Sequence, residues 1–223
     1  MSTVGPETSG FMPAHLAESI LFDDRADAGR ALAHALPADL SSPAVIGVTR
    51  GGVEIGAELA TALRAPLDVV LVSPIRRPAE LHAIGAAAPG EAVHILEPHG
   101  LSAAQLVVAT ARARREADQV DARLHEYRPP LHVDGRDLVL VDEAITTGAT
   151  MAAATLWARD HGAHRVVVAV PVAASAGLAL VRPVADEVVC LYEFEFLGSR
   201  AVWFGELPPL ADEDVRRLLE ETR

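Results

Sequence analysis

The sequence predicts an α/β fold with an open parallel sheet flanked by helices. Five short, nearly continuous apolar runs are bounded by turn residues, and they lie at 45–48, 69–72, 138–141, 166–170 and 188–191. Such runs indicate strands that are buried on both faces, as in a parallel sheet. The segments between several of them have helical periodicity, which gives the βαβ pattern. Half of the residues are hydrophobic but only 4% are aromatic, so Val, Leu, Ile and Ala must form the core.

Two crossover helices are predicted between these strands. In the first, over 52–63, apolar and small residues recur on one face before Pro66 stops the helix. The second helix covers about 148–161 and begins in a small-residue turn. A short helix is predicted over 212–221, at the end of a C-terminal segment that mixes aromatic and acidic residues.

The connection over 74–135 is too long for an ordinary loop, so we expect it to hold its own structure or a mobile flap. An edge strand is expected at 93–96. A long helix is expected from the N-cap Ser102 to about Tyr127, where apolar residues repeat at spacings of four and three. We therefore predict a disordered tail over 1–15 and one domain over 16–223. The insertion with its flexible loop and long helix occupies 74–135, and hood elements occupy 193–223.

Charge and cysteine content restrict the partners and the compartment. The formal net charge is −12, which argues against nucleic acid, since phosphate backbones are bound by basic surfaces. All 19 basic residues are Arg, so an anion site must use Arg or backbone amides. One Cys allows no internal disulfide, and no apolar run is long enough to span a membrane. We expect a cytoplasmic protein without a membrane partner.

The segment over 138–151 combines a strand, two acids, a small-residue turn and a helix start. In an open parallel sheet, ligands bind beyond the carboxyl ends of the strands, where this turn must lie. Thr146, Thr147 and Thr150 offer hydroxyl groups, and Gly148 allows close approach to an anion. The following helix adds N–H groups and the positive end of its dipole. This pattern indicates a monophosphate cradle.

The acids Asp142 and Glu143 stand just before this turn. They would repel a phosphate inside the cradle, so they are better placed to accept hydrogen bonds from sugar hydroxyls. A phosphate beside a diol indicates a ribose 5-phosphate. For any single residue, a strand end or a helix cap is the favoured explanation, but that explanation does not fit the whole string. A Walker A loop is excluded because the chain has no Lys.

A second anion loop is predicted over 48–53, again between a strand and a helix. Gly51 and Gly52 expose backbone amides, and the planar fork of Arg50 suits phosphate oxygens. Arg-Gly-Gly alone would also fit a tight turn. A third segment, 73–81, carries Arg76 and Arg77, which are either phosphate ligands or a solvated pair in a loop bounded by prolines.

The segment 139–150 resembles the phosphoribosyl pyrophosphate signature of type I phosphoribosyltransferases, in which hydrophobic residues precede two acids and a Thr-Gly turn. Over 22–219 the chain also resembles a subgroup of stand-alone, poorly characterised bacterial phosphoribosyltransferases. The residues that carry this likeness are 22–29, the Arg-Gly-Gly-Val loop, 84–86, the Arg-rich helix and 212–215.

The resemblance implies a role for each of these residues. Asp142 and Glu143 would hold the ribose 2- and 3-hydroxyls, and Arg76 and Arg77 would contact the pyrophosphate; these four are the expected catalytic residues. The expected substrate-binding residues are those two acids with Thr49, Arg50, Gly51, Gly52, Ala144, Thr146, Thr147, Gly148, Ala149 and Thr150. Mg²⁺ would bridge pyrophosphate and ribose, held mainly by the substrate near Asp142 and with no direct protein ligand.

The implied activity is transfer of the 5-phosphoribosyl group to a nitrogenous acceptor with release of pyrophosphate. Glu143 stands where the family usually has Asp, and Thr146 stands where enzymes of 6-oxopurines carry an Asp base, which disfavours hypoxanthine, guanine and xanthine. A non-catalytic sensor of phosphoribosyl pyrophosphate or a nucleotide remains the alternative. A competence-associated branch of the fold also resembles 145–150, but the acidic charge and the lack of a Cys cluster weigh against it. A homo-oligomer is compatible with the sequence.

Two further groups have structural explanations at least as good as functional ones. Five aromatic residues near the C-terminus either stack an acceptor ring or close a small hydrophobic subdomain, and the second is favoured: Tyr192, Phe194, Phe196, Trp203 and Phe204. Cys190 lies in an apolar run and is expected in the core.

Overall fold

The computed structural model describes residues 20–77, 83–96, 100–126, 128–198 and 202–222. The predicted tail over 1–15, residues 78–81 of the third segment, and Tyr127 lie outside these ranges. The elements in chain order are α1 (Arg25–Ala35), β1 (Ala44–Gly47), α2 (Arg50–Leu63), β2 (Leu67–Val69), β3 (Ser73–Arg76), β4 (Ala83–Ala87), β5 (Val93–Ile95), α3 (Ala103–Leu124), β6 (Asp137–Val141), β7 (Ala144–Ile145), α4 (Ala149–Asp160), β8 (Arg165–Ala174), α5 (Ser175–Val181), β9 (Glu187–Phe194) and α6 (Asp212–Glu221).

A six-stranded sheet forms the centre of the fold, and all of its pairings are parallel. The order is β2, β1, β6, β8; β9 lies on the other side of β8, and β7 pairs with β8 beyond the end of β6. The predicted open parallel sheet is confirmed. Its core lies on both faces, because alternate residues of β6 belong to different apolar clusters: Leu140 packs with α4, and Val139 packs with α2 and α6.

All five predicted strands of the main sheet differ from the observed ones in their bounds, and β2 and β8 differ most. β2 ends at Val69 instead of continuing to 72, because its partner β1 ends at Gly47 and offers no further ladder. β8 continues through Pro171 to Ala174, although Pro usually interrupts a strand. Pro171 falls between the pairings of β8 with β6 and with β7, where no N–H donor is required.

The long insertion folds into a separate antiparallel sheet, in the order β3, β4, β5, with α3 packed against it. α3 begins after Ser102 as predicted, and a capping box joins Ser102 to Gln105. Ala113, Ala117 and Leu124 form its buried side. The insertion therefore has its own small core beside the main sheet.

The aromatic residues near the C-terminus pack on one another and on Phe22. The rings of Phe194 and Trp203 are stacked with their centroids 4.3 Å apart, and Phe22 lies edge-on to Tyr192 at 5.9 Å. Phe196 is the exception, with 83% of its surface exposed. This packing fits a small hydrophobic subdomain. In the described part of the chain, no helix has the length and apolar character needed to cross a membrane.

Candidate active site

The predicted phosphate cradle lies where β6 and β7 lead into α4. Gly148, the N-cap of α4, has a φ of +84°, and a Cβ there would lie 2.6 Å from the carbonyl oxygen of Gly177 on α5. Glycine is therefore required by both conformation and space. Gly148 has no side chain to cap α4, and the Ala149 amide makes only a long hydrogen bond, 3.4 Å, to the Thr147 hydroxyl, so the first turn of α4 is suited to an anion. A cavity of about 290 Å³ opens here, which we call the phosphate cavity after its predicted ligand. It is lined by Thr146, Thr147, Gly148, Thr150, Asp142 and Thr49 among others.

Asp142 forms the wall of this phosphate cavity next to β1. Its residue surface is only 6% exposed. Its Oδ1 accepts hydrogen bonds from the Thr49 hydroxyl at 2.6 Å and from the Glu143 amide at 2.7 Å. Thr49 in turn accepts from the Gly52 amide at 3.1 Å. Asp142, which precedes the predicted phosphate cradle, is thus held by Thr49, the N-cap residue of α2 in the second predicted loop.

Glu143 lies deeper, beneath the start of α2. Its Oε1 is 2.5 Å from the Nε of Arg25 on α1, and the residue is 2% exposed. Arg25 also donates to Glu54 at 3.2 Å and to the carbonyl of Pro208 at 2.9 Å. A Cβ on Gly51 would overlap the Glu143 carboxylate. The contact of Glu143 with a ribose hydroxyl stays a prediction, and it would require the side chain to leave Arg25.

The second predicted loop forms the first turn of α2. A Cβ on Gly52 would overlap the carbonyl oxygen of Val141, so this glycine allows α2 to approach the end of β6. The Nε and Nη2 of Arg50 donate to Oδ1 of Asp212 at 2.9 and 2.6 Å. Arg50 also lines a second cavity, of about 420 Å³, which we call the Arg50 cavity. The two cavities share Thr49.

Arg76 and Arg77 lie apart from the phosphate cavity. They line a third cavity of about 540 Å³ between the end of β3 and α3, where Arg112 is a further basic residue. This third cavity shares Pro74 and Glu116 with the Arg50 cavity. The contact of Arg76 and Arg77 with pyrophosphate stays a prediction.

The geometry can be compared with known proteins. A model of the phosphoribosyl transferase domain matches residues 19–198, which include both loops and both acids. The chain belongs to the phosphoribosyl transferase family. Two curated Mycobacterium tuberculosis proteins, from strains CDC 1551 and H37Rv, both bear the name "Putative phosphoribosyl transferase". Each is 40% identical to this chain over 207 residues, which cover 90% of this chain and 46% of the relative. The chain therefore spans about half the length of these relatives.

Two solved structures are similar to this chain in fold. TT1426 from Thermus thermophilus is 36% identical, with a TM-score of 0.76 over 90% of this chain and 98% of that one. AQ2163 from Aquifex aeolicus, at 14% identity, has a TM-score of 0.50 over 86% of this chain and 89% of that one, so it supports the fold alone.

Phosphoribosyl transferases use a magnesium ion with their phosphorylated substrate, so the site must be compatible with one. Among the residues that the structure describes, no group of three or more His, Cys, Asp or Glu side chains could hold a metal. The phosphate cavity does contain the carboxylate of Asp142. Magnesium is commonly bound by one or two carboxylates together with substrate phosphates and water. The donor set fits an ion that arrives with the substrate.

Sequence reasoning assigned no role in the candidate site to three of its residues, Arg25, Gly177 and Asp212, although Arg25 and Asp212 lie in segments that carry the family resemblance. Asp212 is 162 positions from Arg50, and Arg25 is 118 positions from Glu143, so no local pattern joins either pair. The signal that could have found Arg25 is the position of Glu143 directly after an apolar strand, because a buried acid requires a basic partner. Gly177 gave no signal of its own, since its partner turn lies on another element.

Proposed function

We propose that this chain transfers the 5-phosphoribosyl group of phosphoribosyl pyrophosphate to a nitrogenous, nucleobase-like acceptor and releases pyrophosphate. One observation carries the proposal: the cavity at the start of α4 and the Arg50 cavity meet at Thr49, whose hydroxyl is bonded to Asp142. A substrate with a phosphate at one end and a pyrophosphate at the other matches two such cavities with an acid between them.

The phosphate cavity takes the 5-phosphate in this proposal. Thr146, Thr147, Gly148 and Thr150 line the cavity around it, and the amides of α4 and the helix dipole favour its negative charge. Asp142 accepts hydrogen bonds from the ribose hydroxyls, because the donors Thr49 and Glu143 N hold its carboxylate at the cavity wall. Ala144 contributes a small lining residue beside the ribose.

Catalysis in this proposal rests on the leaving group. The bond from the ribose C1 to the pyrophosphate oxygen breaks, the acceptor nitrogen bonds to C1, and the departing pyrophosphate takes up the proton that this nitrogen loses. Arg50 and the amide of Gly51 stabilise the charge that develops on pyrophosphate, and Arg76 and Arg77 add to the positive field. The Gly52 amide donates to Thr49 in this structure, so its part is to hold the loop. Bound magnesium would supply further charge neutralisation on the pyrophosphate oxygens.

The acceptor is an open part of the proposal. Thr146 lacks a carboxylate, so residue 146 supplies no base for a 6-oxopurine. The same feature supports the second candidate, a protein that binds phosphoribosyl pyrophosphate or a nucleotide as a signal without transfer. We propose a cytoplasmic location and no nucleic acid partner, in line with the single Cys and the net charge of −12. Assembly as a homo-oligomer is part of the same proposal.

Calorimetric titration with phosphoribosyl pyrophosphate and magnesium tests the binding step, and a pyrophosphate-release screen across nucleobases tests the transfer. Asp142→Asn is expected to weaken binding by about ten- to a hundredfold, because a charge-assisted hydrogen bond contributes about 1.5–3 kcal/mol. Asp160→Asn, an exposed acid at the end of α4, is the control. Binding without release would favour the sensor, and absence of binding in the unaltered protein would contradict both.

A further inference from the structure

The carboxylate of Asp212 joins two arginines that come from different parts of the fold. Its Oδ1 accepts from Arg50 at the start of α2, at 2.6 and 2.9 Å. Its Oδ2 lies 3.5 Å from both Nε and Nη2 of Arg123 on the insertion helix α3. Asp212 itself is the first residue of α6. One carboxylate therefore holds one guanidinium with each oxygen.

Both guanidiniums border the same empty space. Arg50 and Arg123 line the Arg50 cavity together with Thr49, Ser73 and Gln119. Leu71 and Val72, which follow β2, form part of its wall, so the cavity lies at the carboxyl ends of β1 and β2. It is thus the neighbour of the phosphate cavity along the edge where ligands of open α/β sheets bind.

The Asp212 carboxylate keeps its negative charge although α6 packs against the main sheet. Burial would raise the pKa of Asp212, but hydrogen bonding and charge from Arg50, with the charge of Arg123, hold it below its usual value. The first turn of a helix also favours a negative charge. Arg50, Arg123 and Asp212 together carry a net charge of +1, and Glu116, which also lines the Arg50 cavity, brings the four side chains to neutrality. The cavity therefore attracts an anion through the two guanidinium groups and not through a net positive wall.

Apolar packing and a hydrogen bond hold α6 and the end of α3 together. α6 buries Val215 and Leu219 against the main sheet cluster, which fixes the start of the helix. Arg216 donates to the backbone carbonyl of Arg123 at 3.2 Å and so ties α6 to the end of α3. Arg50 uses Nε and Nη2 toward Asp212, while a guanidinium has five N–H donors, so donors remain for a second anion.

We propose that Arg50 and Arg123 form a two-arginine clamp for the pyrophosphate group and that Asp212 is the positioning residue that holds it. This inference rests on the proposed function and adds two elements to it, the insertion helix and the C-terminal helix. Arg123 binds phosphate oxygens directly. Asp212 acts through the two arginines and does not contact the substrate.

Calorimetric titration with pyrophosphate and magnesium, and separately with ribose 5-phosphate, tests the clamp. Arg123→Ala and Asp212→Ala are each expected to weaken pyrophosphate binding by about tenfold or more, as the loss of one charge-assisted interaction implies. Ribose 5-phosphate binding should stay within about twofold, because it uses the other cavity. Asp212→Asn should retain most of the affinity, since its amide oxygen still accepts from Arg50.

Matched controls separate this role from general effects of charge. Arg115→Ala removes an exposed arginine from the same helix, and Glu213→Ala removes the neighbouring exposed acid from the same first turn of α6. Both should bind pyrophosphate like the unaltered protein.

Three results would overturn the clamp. Unchanged or tighter pyrophosphate binding in Arg123→Ala or Asp212→Ala would show that Arg123 is no ligand or that Asp212 competes with the anion. An equal loss of ribose 5-phosphate binding would show a purely structural effect, and Asp212→Asn as weak as Asp212→Ala would contradict the hydrogen-bonding role. Failure of the unaltered protein to bind either ligand would instead refute the proposed function itself.

Discussion

The Nε of Arg25 and the Oε1 of Glu143 are 2.5 Å apart, buried beneath the first turn of α2. The second acid of the phosphoribosyl pyrophosphate signature is therefore bonded to a helix that precedes the sheet. Glu54 and the carbonyl of Pro208 complete the surroundings of Arg25. This pair connects four distant segments, and its effect on stability can be measured.

Arg25→Ala is expected to lower the free energy of unfolding by about 3–5 kcal/mol, because it leaves the Glu143 carboxylate buried without its cation. Urea denaturation followed by circular dichroism measures the change. Arg30→Ala is the control on the same helix: its exposed pairs with Asp27 and Glu58 should contribute about 0–1 kcal/mol. Similar losses in the two variants would contradict a special role for the buried pair.

Gly52→Ala is expected to cost about 1–3 kcal/mol and to weaken pyrophosphate binding, because the new methyl group would push α2 away from the carbonyl of Val141. Gly56→Ala lies one turn later on α2, where a Cβ would meet only side-chain atoms of Leu67 and Val45 at 3.1 and 3.2 Å. We expect that control to stay within about 1 kcal/mol of the unaltered protein, since Ala favours the helix. Thermal unfolding and pyrophosphate titration compare them.

Thr49→Ala is expected to lower affinity for phosphoribosyl pyrophosphate by about tenfold, because it removes the hydroxyl that orients Asp142. It also removes the N-cap of α2, at a cost of about 1 kcal/mol of stability. Thr49→Ser keeps the hydroxyl and should restore both properties. Titration calorimetry with magnesium present gives the affinities; a Ser variant as weak as the Ala variant would argue against the orienting hydroxyl.

We predict that the protein loses stability at alkaline pH, because the raised pKa of His125 makes its protonated form stabilising. Burial alone would lower its pKa, but hydrogen bonds and charges from Asp121 and Asp68 raise it from 6.5 to about 10. Because the folded-state pKa is the higher one, this contribution is fully present below pH 6.5 and declines as the pH rises toward 10. Urea unfolding between pH 6.5 and about 8.5 should show the decline.

The matched variants isolate this effect. His125→Asn should flatten the slope of stability against pH, whereas the exposed His34→Asn should leave it unchanged. The window stops short of pH 9 because burial raises the pKa of the Cys190 thiol from 9.0 to about 12, which adds its own loss of stability in stronger alkali. An identical slope in His125→Asn would remove His125 as the cause.

Local patterns predicted much of the main sheet and the phosphate cradle. The apolar run of β6, the acids behind it and the Thr-Gly turn are contiguous in sequence, so periodicity and turn chemistry identify them together. α6 begins and ends at the predicted residues, and α3 begins at its predicted cap. These features depend on interactions within a few residues, which a sequence displays directly.

Features made by distant residues were not predictable in the same way. In the sheet of β3, β4 and β5 only the edge strand β5 was predicted, because β3 contains Pro74, β4 is rich in Ala, and both pack against the distant helix α3. The place of Arg76 and Arg77 follows from that packing, which puts them in the third cavity. The bonds of Arg50 to Asp212 and of Glu143 to Arg25 require the complete fold, because their partners lie more than a hundred residues away.

The long strand β8 sets the distance between Ala144, beside the acids, and Tyr192, in the aromatic cluster. At Val172 the strand pairs with Ala144, beside the acids, on one side and with Tyr192, in the aromatic cluster, on the other. Neighbouring strands lie about 4.8 Å apart, so the backbones of Ala144 and Tyr192 are separated by roughly 10 Å. The hydrogen-bonded ladder sets this interval. Side-chain substitutions in the aromatic cluster should therefore leave the distance between the backbones of Ala144 and Tyr192 unchanged.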